Sequence, residues 1–466
     1  MADAALEPVR DSGSGARADR EAADLAAAAA AEAAGSRAVS GSLYAPGTFP
    51  RSVPAVPPIY RTPGGQRRHQ QWIDVDIRLR AATTSKELLS IVGQELPRFD
   101  TGNVVIAFTC AAKLDDGRDM ATLEPSPAWS KLKARLIDDA EGLEPRGMSM
   151  AAYAAAKLMW GDEALLTALA RAGTRRAPDF GPTDIAKGCW AFAKLRFVQE
   201  PEAAVFWRAM EREAARAARS ERFVDVSMTA WAFASTGHGG AGFFLELSRA
   251  TQDVLETLAP RSIAGISYAC AKAGHADPKF FAAIGRRALA TAGDFGAHDT
   301  AAICWAFSAA GITDAALFEA LASRLTANGQ MRKLSAPLAA ELAWGFAAAG
   351  VRHARLFADL EELCRRQIQD LETEDVAGFA WSFAAVGRLD PAVWRDIAAY
   401  VERFAGRLRP GERRVLSWAL AEAGVGSEAL HARLRAAATC HGASAEPGGP
   451  GPRPAAGENG RTWSAA

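Results

Sequence analysis

The segment Asp299 to Gly311 reads D-T-A-A-I-C-W-A-F-S-A-A-G, and drifted copies of it recur along most of the chain. With Trp305 as the anchor, the equivalent aromatics are Tyr153, Trp190, Trp231, Tyr268, Trp344, Trp381 and Trp418. Successive gaps are 37, 41, 37, 37, 39, 37 and 37 residues. A near-constant period of this length constrains the fold more than composition does: one copy cannot bury its own apolar face, so copies must stack. The expected fold is all-α, an α-solenoid of about eight to nine two-helix repeats.

Each copy reads as two helices. The first is expected to open on a capping residue six before the anchor: Asp184, Asp225, Ser262, Asp299, Asp375 or Glu412. Such side chains accept from the free N–H groups of a first turn or complement its dipole. Leu338 breaks this rule. The helix is expected to stop six after the anchor, at Gly237, Gly274, Gly311, Gly350, Gly387 or Gly424, where a left-handed residue is needed. Arg196 replaces that glycine in the repeat that also carries a four-residue insertion before Phe206. The second helix opens on an apolar pair, such as Phe243–Phe244, Phe280–Phe281 or Val393–Trp394, with Asp277–Pro278 and Asp390–Pro391 suited to a first turn. Upstream, Asn103–Leu114 reads as a degenerate first repeat with Phe108 or Thr109 in the anchor place.

Three regions follow. Residues 1–71 are rich in Ala, Pro and Gly, with six alanines at Ala26–Ala31 and six prolines over 46–65; such a stretch is expected to be a disordered tail. The repeat array spans 72–440, and residues 441–466 read as a second disordered Gly/Pro-rich tail. Asp3, Glu7, Asp11, Asp19 and Glu21 argue against a clean organelle presequence. No apolar run reaches the about 18 residues of a membrane span. The 54 basic and 54 acidic residues cancel, which excludes a chain coated in positive charge but not a local basic groove. Cys110, Cys189, Cys270, Cys304, Cys364 and Cys440 form no C-x-x-C pair and read as small buried thiols.

On a helical wheel, positions −5, −2, +2 and +5 form one apolar arc and the anchor with −4 and +3 forms another, so the first helix is sandwiched between neighbours. Positions −3 and +4 vary: Lys187/Lys194, Met228/Ser235, Gly265/Lys272, Ala302/Ala309, Glu341/Ala348, Gly378/Ala385 and Val415/Glu422. A constant frame with one varying stripe suits a modular reader of RNA, although half-exposed filler would look the same. Lys187, Lys194, Lys272, Met228 and Ser235 are the stripe residues expected to meet RNA. Basic pairs in second helices, among them Arg286–Arg287 and Arg365–Arg366, are expected to track the phosphate backbone or else form a solvated face.

The repeated W-A-F-A-x-x-G with a preceding D-[IV]-A resembles the octotricopeptide and heptatricopeptide repeat proteins. Those are related to the FAST-kinase-like family of organellar RNA-processing proteins. The likeness covers about Trp72 to Cys440 and includes the opening segment W-I-D-V-D-I-R-L-R-A-A-T-T-S-K-E-L-L-S-I-V. It implies single-stranded RNA binding in a mitochondrion or plastid, in RNA processing, stability or rRNA maturation, with other proteins of a ribonucleoprotein complex as further partners. The compact RAP domain that often ends such chains is not visible after Cys440, so no nuclease activity is expected.

No P-loop, G-x-G-x-x-G, H-E-x-x-H or G-x-S-x-G motif occurs. The expectation is a protein that is not an enzyme and that needs no cofactor, metal or membrane. His238 and His275 share a post-glycine position and read as turn residues facing solvent. The competing class is a protein-binding scaffold, since α-solenoids use the same geometry for partner helices.

Overall fold

The structure, a computed structural model, describes residues 70–114, 120–217, 223–327, 331 and 334–436. Both expected tails lie almost wholly outside these residues. Every regular element among the described residues is a helix, as the repeat period predicts. None is long and apolar enough to cross a membrane.

The chain opens with α1 (Gln70–Ala81), α2 (Ser85–Glu95), α3 (Thr101–Leu114), the short α4 (Met120–Leu123) and α5 (Pro127–Asp139). Helix pairs follow: α6 (Pro145–Lys157) and α7 (Glu163–Arg175); α8 (Pro182–Lys194) and α9 (Pro201–Ala217); α10 (Phe223–Thr236) and α11 (Ala241–Val254); α12 (Pro260–Lys272) and α13 (Pro278–Ala290). The last four are α14 (Ala297–Ala309) and α15 (Ala315–Ala327); α16 (Ala336–Ala348) and α17 (Ala354–Gln367); α18 (Thr373–Ala385) and α19 (Pro391–Phe404); α20 (Pro410–Glu422) and α21 (Glu428–Ala436). The anchors sit on the first helix of each pair. The described residues fall into two compact units, 70–247 and 248–436, with the division inside α11. In each unit first helices pack closely on the first helices of neighbouring repeats, while second helices meet one another less extensively.

Helix starts correct one expectation. The acids six before the anchor are not N-caps. They occupy the third helical position, because each helix begins three residues earlier, with proline in its first turn in α6, α8, α12, α16 and α20. From there the carboxylate reaches back: Asp299 Oδ2 accepts from the Gly296 backbone N–H at 3.4 Å and Glu412 Oε2 from that of Arg409 at 2.8 Å. This is the return half of a capping box. The same geometry settles the degenerate repeat. Asn103 Oδ1 accepts from the Asp100 N–H at 3.1 Å, so Asn103 takes the place of Asp299 and Thr109, six residues on, takes the anchor place. Some of these acids also bind the preceding repeat. Asp184 accepts from the Ser149 hydroxyl at 3.0 Å, and Asp225 from that of Thr183 at 2.6 Å.

Helix ends agree with expectation and extend it. All six glycines have φ between 64° and 75°. The N–H one residue later returns to the carbonyl five residues before it, as in His275 to Cys270 at 2.8 Å and Ile312 to Phe307 at 2.9 Å. These are Schellman closures. Arg196 (φ 57°) and Met159 (φ 52°) hold the same left-handed conformation without being glycine. Phe197 to Phe192 and Trp160 to Ala155 complete the same bond. A side chain costs about 1 kcal/mol there. Since a Cβ on Gly311 would meet nothing within 4 Å, Gly311→Ala is expected to lose about 1 kcal/mol through backbone conformation alone. Arg196→Gly should gain a similar amount, and urea denaturation of the two variants checks both signs.

A buried apolar residue ten before the anchor also recurs, in Leu143, Phe180, Leu258, Phe295, Leu334, Leu371 and Leu408. It stands just before the N-cap, where a hydrophobic staple fixes the angle at which the chain enters the helix. The expected buried thiols are found. Cys110, Cys189, Cys270, Cys304 and Cys364 are all buried. Burial pushes Cys270 up to about 12 and raises Cys189 and Cys364, so these thiols are poor nucleophiles. Cys440 lies outside the described residues.

Candidate nucleic-acid interface

Positions −7, −3 and +4 lie within about 60° of one another beside the anchor, on one edge of each first helix. In the 70–247 unit this edge carries Arg146, Lys187 and Lys194, and Lys157 stands at +4 of its own repeat. With Thr109 as anchor, Lys113 is the +4 residue of the first repeat. Lys113, Lys157 and Lys194 thus occupy the same place at the C-terminal ends of α3, α6 and α8, where the helix dipole favours a cation. Lys113 and Lys157 are exposed, while Lys187 and Lys194 are half-buried. The Lys187 ammonium lies 3.4 Å from Met150 Sδ and 5.9 Å from the centroid of the Tyr153 ring, a position that steadies it over the anchor.

The corresponding edge of the 248–436 unit changes sign along its length. It begins with Arg261, Lys272 and His298, of which Lys272 is half-buried. It continues through Ala302, Ala309, Glu341, Ala348, Glu374, Gly378, Ala385, Val415 and Glu422, with Ala302, Glu341, Glu374 and Val415 buried. Of the other expected stripe residues, Met228 is only 6% exposed and belongs to the core. Ser235 is half-buried, and its hydroxyl has no partner.

The second-helix arginines divide into two kinds. Arg287 Nη1 pairs with Glu256 Oε2 at 3.2 Å while its Nη2 donates to the Glu256 carbonyl at 2.6 Å. Arg365 Nε pairs with Asp396 Oδ2 at 3.2 Å. Arg171 with Glu202 (2.8 Å), Arg175 with Glu141 (3.3 Å) and Arg324 with the Gly293 carbonyl (2.7 Å) make the same kind of tie from one repeat to the next. These guanidinium groups bind protein acceptors. Arg286 and Arg366 are exposed. Arg366 lines a cleft with Arg355, Asp359 and Glu362, where the acids offset the bases.

Behind the lysine edge the anchors stack. Tyr153 and Trp190 lie 5.0 Å apart between ring centroids in one unit. In the other, Tyr268–Trp305 (4.6 Å), Trp305–Trp344 (6.4 Å) and Trp344–Trp381 (6.3 Å) form a continuous ladder. The indole N–H groups of Trp190, Trp231 and Trp305 are buried without an acceptor. Packing is therefore what these rings supply. Burial pushes the Tyr153 hydroxyl up to about 12.

His238 departs from its expected place in solvent. Its ring is half-buried and stacks on Trp207 at 5.0 Å and 15°, and burial lowers its pKa. His275 is also half-buried. The recurrent A-K-L in A-A-K-L, A-A-A-K-L and A-F-A-K-L is the sequence signal that puts Lys113 and Lys157 beside Lys194 as candidates. Their shared position emerges only once Thr109 is fixed as an anchor.

Residues 207–399, less than half of the chain, are similar to a family described as RNA-editing substrate-binding complex 6 protein. No curated protein matches the chain. The matched stretch runs from α9 into α19 and holds five of the anchors, Trp231 to Trp381. It also holds Met228, Ser235, Lys272, Arg286, Arg287, Arg365 and Arg366, but none of the lysines of α3, α6 and α8.

Proposed function

We propose that this chain is a non-enzymatic helical-repeat protein of RNA processing, and that it binds single-stranded RNA along the first-helix edge of its 70–247 unit. The observation that carries this reading is the recurrence of Lys113, Lys157 and Lys194 at one position of three successive repeats, since a row of cations on equivalent positions suits a repeating phosphate backbone. Two independent likenesses support it. The repeat motif resembles organellar RNA-processing proteins, and the matched family is described by RNA editing. They share RNA processing and differ in the finer family. A mitochondrion or plastid is the compartment that the motif resemblance favours.

A second surface favours protein partners. The small and acidic part of the edge in 248–436, from Ala302 to Glu422, offers little to a phosphate and suits a packed helix. A ribonucleoprotein subunit would use both surfaces.

The test is a salt titration of the full chain against an unstructured single-stranded RNA pool. Log affinity is expected to fall linearly with log salt, with a slope of about −0.7 per phosphate contact. A folded, helical chain that binds no RNA at about 50 mM salt overturns the reading.

A further inference from the structure

The last first helix, α20, differs from the others where a following repeat would pack. In the seven preceding copies the residue four before the anchor is small and buried: Ser149, Ala186, Ser227, Ala264, Ala301, Ala340 and Ala377. In α20 it is Arg414, which is exposed, and the anchor Trp418 is 38% exposed. Trp418 is the one aromatic among the exposed large apolar side chains of the described residues. A charged Arg414 in the place of alanine would have to be desolvated beneath another repeat helix, a cost the buried small residues of the other copies do not carry. This face presents an indole and a guanidinium one helical turn apart on one side of the helix.

Stacking and cation together match one nucleotide. Bases stack on exposed aromatic rings with little regard to sequence, and an arginine beside the ring takes the adjoining phosphate. Glu422 lies one turn to the other side of Trp418, so the phosphate is directed toward Arg414. We propose that Trp418 and Arg414 form a terminal subsite for a single nucleotide of bound single-stranded RNA, the base on the indole and the phosphate on the guanidinium. This rests on the RNA-binding reading above and adds to it a site in the 248–436 unit.

The experiment measures fluorescence anisotropy of a labelled single-stranded oligouridylate against the full chain, with sedimentation velocity on each variant and circular dichroism as the check of folding. Trp418→Ala is expected to weaken binding about 5- to 100-fold and to leave the salt slope unchanged, while Trp418→Phe keeps most of the affinity. Arg414→Ala is expected to reduce the slope by about 0.7. If the parent binds in a salt-dependent way and folded Trp418→Ala binds equally well, the subsite is overturned and the RNA reading stands. If the parent does not bind, both fall. If Trp418→Ala turns a dimer into a monomer without weakening RNA binding, the face is a contact between copies of this chain and the proposal is overturned.

Discussion

Reversing Lys113, Lys157 and Lys194 together to Glu is expected to lower the slope of log RNA affinity against log salt by about 2, three contacts at about 0.7 each. At moderate ionic strength the affinity should drop by at least about tenfold for any single-stranded sequence, because phosphate contacts carry no sequence information. The contrast is with Arg287→Ala and Arg365→Ala. Those arginines already bind Glu256 and Asp396, so their loss should cost up to about 1 kcal/mol of stability each and leave the slope unchanged. Anisotropy titrations at several salt concentrations, beside denaturation curves, separate the two surfaces. An unchanged slope in the triple lysine variant, or a reduced slope in the arginine variants, would place the RNA elsewhere.

The largest stability effect is expected at Trp305. Its ring is fully buried between those of Tyr268 and Trp344, and Trp305→Ala removes the middle rung of the ladder. The expected loss is about 3–5 kcal/mol. Because repeats are coupled mainly to their neighbours, the denaturation of the 248–436 unit should also become less cooperative. The indole N–H adds little, having no acceptor to lose. A loss below about 1 kcal/mol would mean that the alanine-rich first helices collapse onto one another and that the ring is dispensable.

Much of this fold can be read from the chain because its strongest determinants are periodic. The anchor spacing yields the helix pairs, and the glycine six residues on yields their left-handed stops. Helix starts are less legible and lie three residues before the expected ones: a carboxylate that caps and one that reaches back from the third helical position leave the same residue types near the same place. Backbone bonds such as those from Gly296 and Arg409 tell them apart. The candidate site is legible in part. Lys187 and Lys194 follow from the wheel, but Met228, at the same position as Lys187 one repeat on, is buried. Second-helix arginines look alike in sequence, and their partners one repeat away, about 31 residues distant for Arg287 and Arg365, decide which remain free for phosphate. Trp418 carries the same motif as the buried anchors; Arg414 is the local sign that its surroundings differ.

The two rows of helices in each unit are joined by different forces, and this sets how each unit yields when bent. Stacked rings and close alanines hold the first helices together, while arginine ion pairs at the surface span the second helices. Ions screen the latter within about 10 Å at 0.1 M and hardly touch the former. Each unit is therefore a spring with one stiff edge and one salt-softened edge. Salt loosens the second-helix row more than the ring-stacked row, so a ligand lying along the first helices meets the stiffer side of the unit.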